Sequence, residues 1–472
     1  MLLNITRAKI LAALLGPSGV GLLAQVNNFD TLIATLASFG IGYGITNLIS
    51  HSQSDYGNGG DIVRTGGCLL LAVYVLVALS TVAGSRYLAE HLLGNSTFAH
   101  IFVILAVGFF FQFCAFFFES IMQGYKAIKE ISLARVISSA SGLAAIFPLA
   151  WLWGINGAVI GTVIWFLFRF CTFGLLSVRT GVNWPSLWSK GRFCNQQARL
   201  IFQFGLSVFL TNSLKALTLL FIRARIMHSL GSATNGIYQV VWAISSQYLL
   251  LIPLALWSYA YPRLVEVIDD EQRAGNELNK VFRLGLLLIT PMMFSILGAR
   301  NFLVRLLYTV EFLPAADLMA IQLWGDLARF MVWWMELPLY AGGKLSRIVM
   351  IEACYNLGYL TLGALLLHAL GLSGVCIGYV AANGLALLVS LALLKRGEHQ
   401  PVLIARDYIL LIKSVIFLVA AMLIPQDRSV IWCALTAALA VLWGGQAPDS
   451  QERKYAIRFI TQVTKWKKGV TK

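Results

Sequence analysis

Apolar residues run in stretches of about twenty along almost the whole chain, separated by short polar gaps. A helix needs about 20 apolar residues to cross a hydrocarbon core about 30 Å thick, so each stretch predicts a membrane-spanning helix. The predicted spans are 20–50, 66–85, 99–122, 132–152, 155–178, 204–228, 236–260, 284–306, 316–341, 345–369, 372–394, 408–425 and 429–446. The opening stretch MLLNITRAKILAALLGPSG is too short to add another. Composition agrees: 58% of residues are apolar, 12% are charged and mean hydropathy is +0.75. Soluble domains hold roughly 45–50% apolar and about 25% charged residues. The expected fold class is an all-α polytopic membrane protein.

The net charge of +15 is a signal of orientation before it is one of nucleic-acid binding. Lys and Arg gather in alternate loops, at Lys126, Lys129 and Arg135, at Arg179, Lys190, Arg192 and Arg199, at Arg263, Arg273, Lys280 and Arg283, at Lys344 and Arg347, and at Lys395, Arg396 and Arg406. The intervening loops are nearly bare, with Arg86 and Arg428 as exceptions. This positive-inside pattern puts the rich loops and the C-terminus in the cytoplasm. The tail interleaves Ile457, Ile460, Val463 and Trp466 with basic residues. An amphipathic helix on the anionic leaflet and a merely solvated tail both fit that pattern. The cysteines (Cys68, Cys114, Cys171, Cys194, Cys354, Cys376 and Cys433) are scattered and form no CxxC pair, as expected of small apolar fillers.

Three short patterns occur twice. Leu15-Gly16 with GVGLLAQV pairs with Leu230-Gly231 and NGIYQVV; QGYKAIKEI from Gln123 pairs with GGKLSRIVM from Gly342; LWGINGAVIGTV from Leu152 pairs with ALGLSGVCIGYV from Ala369. Taken at Gly16, Gln123 and Gly154, the offsets are 215, 219 and 217 residues. The repeat unit, from one matching point to the next, spans six predicted helices, an even number, so both copies enter the membrane in the same direction. Parallel repeats of this kind occur in transporters, with the substrate path at their interface. The expected organisation is an N-terminal lobe (1–178), a cytoplasmic loop (179–203), a C-terminal lobe (204–395), two added helices (408–446) and a basic cytoplasmic tail (447–472). The second half opens with a full span before Leu230-Gly231, while the first has about fifteen residues before Leu15-Gly16. On that comparison the first helix is expected to be truncated.

A charge at the bilayer centre costs about 2.5–3.5 kcal/mol on insertion scales, so such residues face a cavity or a partner. In span 316–341, Gln322, Asp326, Arg329, Trp333 and Glu336 fall within an arc of roughly 80° at about 100° per residue. Mutual neutralisation of Asp326 and Arg329 is the bland alternative. Span 204–228 carries Asn212, Lys215, Arg223 and Arg225; the two arginines lie nearer its outer end and are candidates for snorkelling. Span 20–50 carries Asn27, Asn28 and Asp30, and the matching helix of the second half carries Gln239, Trp242, Ser245 and Ser246. Asp30 and Lys215 lie at similar expected depth, either lining one cavity or forming a structural ion pair. Glu119, Arg169, Glu352 and Lys413 read as interfacial. No P-loop, HExxH or nucleophile elbow occurs, and Gly40, Gly42 and Gly44 read as a bend or a packing surface.

Four segments carry a family resemblance: KILAALLGPSGVGLLAQVNNFDTLIATLASFGIGYGITNLIS, SLGSATNGIYQVVWAISS, PRLVEV and AADLMAIQLWGDLARF. They resemble Wzx-type flippases, the O-antigen and lipid III flippases, of the multidrug/oligosaccharidyl-lipid/polysaccharide exporter superfamily, over about residues 5–395. The resemblance implies a MATE-like fold of two lobes around a central cavity that opens alternately to each side. It implies an undecaprenyl-pyrophosphate-linked oligosaccharide as substrate, moved from the cytoplasmic to the periplasmic leaflet. Lys9 matches the family lysine before the first Gly-Pro, Arg223 and Arg225 match basic positions ending the seventh helix, and Asp326 matches the acidic residue of the tenth. The missing front of the first helix departs from the family pattern.

The expected site follows from this. Lys9, Asn28, Asn212, Lys215, Arg223, Arg225 and Arg329 hold the anionic head, with Lys215, Arg223 and Arg329 on the phosphates. Trp242 and Trp333 stack on sugars. Asp30, Asp326 and Glu336 couple transport to a proton or Na⁺. No metal, cofactor or nucleic acid is expected. The partners are the lipid-linked oligosaccharide, membrane lipids and a loose association with polymerase and chain-length machinery, all at the bacterial inner membrane. The competing reading is a cation-coupled multidrug exporter of the same superfamily; an enzyme of lipid-linked sugars fits less well, because such proteins carry a large periplasmic loop or soluble domain.

Overall fold

A computed structural model describes residues 2–38, 41–52, 59–180, 191–249, 251–395 and 405–422, and among them no β-strand occurs. Seven helices there are long and apolar enough to cross a membrane by length and composition: Ile5–Thr35, Gly59–Ala83, Ser96–Gly124, Ile128–Val178, Glu271–Gly298, Leu345–Leu370 and Leu372–Leu394. Ile128–Val178 breaks at Trp153 and Gly154 (φ 54°, ψ −130°), where the expected spans 132–152 and 155–178 meet. The helix Ala315–Ala341, with Asp326 and Arg329 in its middle, is not apolar enough to join them, and Ala405–Met422 carries too many charges, Arg406, Asp407 and Lys413. The chain is a multi-pass helical membrane protein. Span 429–446 and the tail 447–472 lie outside the described residues.

The chain divides into two compact units, Met1–Gly236 and Ile237–Lys472. The division falls inside a helix, not in the 179–203 loop. In the first unit, α1 (Leu2–Ser38), α2 (Ile41–Ser52), α3 (Gly59–Ala83), α4 (Ser85–Leu93), α5 (Ala99–Gly124) and α6 (Ile128–Val178) are followed by α7 (Asn195–Ala243), most of which belongs here. The expected single span 20–50 is corrected: α1 begins at Leu2, breaks at Gly16 (φ 60°, ψ −174°), and α2 is a separate helix. The opening stretch therefore continues into a span. Gly16 supplies a backbone conformation that is essentially glycine-only, and Pro17 suits the first position of the resumed helix, where no amide hydrogen is needed.

α7 repeats the device at Gly231 (φ 84°, ψ 170°). Five residues beyond each break the two helices cross backbone to backbone. A Cβ on Gly21 would lie 1.9 Å from the Ser232 carbonyl oxygen, and one on Gly236 would lie 1.9 Å from that of Pro17. Asn235 Nδ2 donates to the Gly21 carbonyl at 2.8 Å. Small residues let membrane helices approach this closely. A core of Val26, Phe29, Phe102, Leu105 and Phe109 fills the space beside that crossing.

The second unit contains a π-helical turn, Ile244–Leu249, then α8 (Leu251–Val267), α9 (Glu271–Gly298), α10 (Arg300–Leu307), α11 (Ala315–Ala341), α12 (Leu345–Leu370), α13 (Leu372–Lys395) and α14 (Ala405–Met422). A long helix, a short helix, a 3₁₀ turn and a long helix run through Gly59–Ala83, Ser85–Leu93, Ser96–Phe98 and Ala99–Gly124. The same order runs through Glu271–Gly298, Arg300–Leu307, Val310–Phe312 and Ala315–Ala341. α14, expected as an addition, is built into the unit: Phe417 stacks on Phe294 at 3.9 Å, Arg283 Nη1 bonds Asp407 Oδ1 at 2.9 Å, and Thr290 bonds Ser414 at 3.1 Å.

Candidate functional site: a charged cavity in the first unit

Four helices of the first unit enclose a cavity of about 360 Å³. α1 supplies Asp30, α5 Gln112 and Phe116, α6 Trp165 and Arg169, and α7 Asn212. Asp30 sits beside Gln112 and within electrostatic reach of Arg169 and Arg7. Its Oδ1 is enclosed and accepts no hydrogen bond from the described residues. The Arg7 guanidinium lies over the Trp165 ring at 5.5 Å and reaches Thr162 Oγ1 at 3.5 Å. Arg169 is held from behind: its Nη2 bonds Glu119 Oε2 at 2.5 Å. Glu119 also accepts from Arg135 at 2.5 Å and 3.0 Å. The Thr31 and Thr35 hydroxyls are turned back onto their own helix, bonding the Asn27 and Thr31 carbonyls at 2.8 Å.

Glu119 and Glu352, read as interfacial, are buried within the protein, 4% and 2% exposed. Each carboxylate tolerates burial because an arginine on a neighbouring helix cancels its charge. Lys413 is exposed on its helix. Arg7, Gln112 and Trp165 escaped the sequence reading; Gln112, alone in FFFQFCAFFF, and Arg169, in WFLFRFCTFG, were the available signals.

In the second unit the stripe on α11 turns inward. Gln322, Asp326 and Glu336 are buried. Asp326 Oδ1 accepts from Ser245 Oγ at 2.6 Å and from the Tyr379 hydroxyl at 2.9 Å. Arg329 Nη2 bonds Glu352 Oε1 at 2.5 Å, with its guanidinium 4.8 Å from the Tyr355 ring centroid. The neutralisation considered for Asp326 with Arg329 is thus replaced by separate partners for each. The Tyr238 and Tyr359 hydroxyls also bond each other. Trp242 packs on Tyr238 and Tyr379 with centroids 6.2 Å and 6.0 Å away, and Trp333 on Trp257 and Phe330 at 6.2 Å and 5.9 Å.

Of the expected residues, the structure brings Asp30 and Asn212 to one cavity, and Asp326 and Trp242 to one tyrosine-lined cluster. Asn28 is half-buried, 3.5 Å from Gln25 Oε1. Lys9, Lys215 and Arg225 are exposed on their helices, while Arg223 is wholly buried. Lys215 was the candidate partner of Asp30; the guanidiniums flanking that carboxylate are Arg169 and Arg7. Among the described residues no group of three or more His, Cys, Asp or Glu could hold a metal ion.

A wall with a guanidinium, two amides, a carboxylate and an indole, with the Arg7 guanidinium over that indole, set among apolar helices, can replace the hydration of a polar anionic group. Guanidinium forks match phosphate oxygens, and an indole offers a flat apolar face with a polar edge.

Comparison with known proteins adds sequence and fold relationships. A family described as "Polysaccharide biosynthesis protein" matches residues 10–317. The lipid III flippases of Escherichia coli (strain K12) and Shigella flexneri are each 23% identical over 373 residues, covering 79% of this chain and 89% of theirs. An inward-facing multidrug resistance MATE family transporter of the MOP superfamily superposes with a TM-score of 0.70 at 14% identity, over 88% of this chain and 96% of its own. The lipid II flippase MurJ, in an inward closed conformation, superposes with a TM-score of 0.68 at 14% identity, over 94% and 95%. These likenesses identify the fold.

Proposed function

Because the chain belongs to the polysaccharide biosynthesis protein family, we propose that it is a flippase for a lipid-linked oligosaccharide and not an enzyme. The substrate class is an undecaprenyl-pyrophosphate-linked oligosaccharide, an O-antigen-like repeat unit, moved by alternating access from the cytoplasmic to the periplasmic leaflet of a bacterial inner membrane. The sequence similarity to two lipid III flippases supports this reading. The observation that carries it is the cavity of Asp30, Gln112, Trp165, Arg169 and Asn212 inside a membrane-embedded unit.

Moved bare through lipid, a pyrophosphate would strand charge in hydrocarbon. In the cavity, Arg169 holds phosphate oxygens, with the Arg7 guanidinium over Trp165 adding positive charge, Asn212 and Gln112 bond sugar hydroxyls, and Trp165 stacks on a sugar face. Asp30 occupies the guanidiniums while the head is absent and exchanges a proton or Na⁺ as the head enters. In the second unit, Asp326 and Glu336 are the further candidates for coupling. Arg329, paired with Glu352 as Arg169 is with Glu119, remains a candidate for the head with Lys215 and Arg223. Outside the chain, a polymerase that consumes the flipped unit is the natural neighbour.

The test is complementation of a strain lacking this protein. Arg169→Ala, checked for membrane abundance, should cut surface glycan at least about tenfold, the effect of losing one charge-assisted contact worth about 1.5–3 kcal/mol; Arg7→Ala and Trp165→Ala, checked likewise, should lower it less. Full glycan with all three would remove the cavity from the account. A null strain with normal glycan and raised sensitivity to cationic drugs would favour the multidrug-exporter reading instead.

A further inference from the structure

The first unit carries a second depression, of about 240 Å³, walled by α3, α5 and α6. Its lining is almost wholly apolar and includes six aromatic rings: Tyr74, Phe110, Phe113, Phe117, Phe118 and Phe170. The rings hold one another in place. Tyr74 meets Phe110 and Phe113 edge-on at 5.5 Å and 5.7 Å, and Phe118 meets Phe170 at 6.0 Å. Leu71 and Phe110, 55% and 38% exposed, mark its opening on the unit's surface.

The groove adjoins the charged cavity. Phe113 lines both. Gln112, Phe116 and Arg169 line the cavity, while their chain neighbours Phe113, Phe117 and Phe170 line the groove. One turn of α5 and one step of α6 thus separate a surface for an anionic polar head from a surface for an unsaturated apolar chain.

We propose that this groove takes the polyprenyl chain of the lipid-linked substrate, next to the cavity that takes its head; the proposal rests on the reading of that cavity given above. Within a bilayer the hydrophobic effect does not favour one apolar chain over another, so selection must come from packing. Fixed aromatic faces select a chain with flat double bonds and regular methyl branches over a saturated, freely rotating acyl chain, because only the former keeps close contact along a rigid wall. A groove that held the chain would keep it beside the helices that carry Arg169 and Gln112.

The experiment uses the full chain in nanodiscs of phosphatidylethanolamine and phosphatidylglycerol. Two photoreactive probes are compared: a polyprenyl diphosphate with a diazirine on its chain, and a phosphatidylglycerol with a diazirine on its acyl chain. Labelled peptides are mapped by mass spectrometry. The polyprenyl probe should label residues 67–74 and 110–118, and excess undecaprenyl phosphate should cut that labelling about tenfold, as a competitor well above its dissociation constant does; excess phosphatidylglycerol should not. Gly67→Phe, which fills the groove without touching the cavity, should remove the label, and Phe117→Ala, which takes away part of the wall, should weaken it. Equal competition by phosphatidylglycerol, or labelling unchanged in both variants, would make the groove an ordinary lipid face and overturn the proposal. Arg169→Ala separates the two readings. It should keep the chain label while losing glycan export; a kept label with full export would count against the cavity and leave the groove standing.

Discussion

Glu119 holds two arginines at once, and their exposures differ: the Arg169 side chain is 23% exposed and that of Arg135 is 60%. Removing one member of a buried ion pair costs about 3–5 kcal/mol, whereas an exposed pair contributes about 0–1 kcal/mol. Glu119→Ala should therefore lower the thermal unfolding midpoint, followed by fluorescence-detected size-exclusion chromatography, far more than Arg135→Ala. Equal losses would mean that the carboxylate is not the centre of the cluster. At this scale the sequence was only partly legible. A charge inside an apolar run announces that it needs a partner, as Asp30, Asp326 and Arg329 did, but it does not say which one. The residues that meet it come from distant positions: Arg7 reaches Asp30 from the start of the chain, and Glu352 reaches Arg329 from the next helix. Depth along a helix, the one coordinate the sequence offers, does not distinguish them.

At the scale of elements, the breaks decide the architecture. Gly16 and Gly231 hold backbone angles that cost other residues about 1–3 kcal/mol. Gly231→Ala should lower the yield of folded protein and its unfolding midpoint. Gly275→Ala is the control: that glycine lies within α9 at an ordinary helical backbone and faces open space, so alanine should be neutral or stabilise by up to about 1 kcal/mol. A harmless Gly231→Ala would show that the break does not depend on the left-handed conformation. Hydropathy located most helices to within a few residues, since each must hide its backbone polar groups from lipid. It failed at the break between α1 and α2, which span 20–50 ran together because the residues at their junction are apolar.

For the whole molecule, the alternation of basic and bare loops makes a prediction of topology. A fluorescent protein fused after residue 472 should fluoresce and alkaline phosphatase at the same place should stay inactive, as for a cytoplasmic terminus; active phosphatase would invert the orientation proposed here. The order of helices, short helix and 3₁₀ turn recurs in the two units. The boundary of the compact units was not legible. The sequence patterns place the expected second lobe from residue 204, whereas compactness registers contact, and Asn235 and Gly236 of α7 lie against α1.

The glycine crossing of α1 and α7 has a practical consequence at the bench. Its strength comes from two backbones in touch and one amide–carbonyl bond, not from the exclusion of a particular solvent. Replacing bilayer by detergent micelle changes what surrounds such a joint and leaves the joint itself intact, so extraction that strips every bound lipid should still deliver the first unit with its central helices fastened.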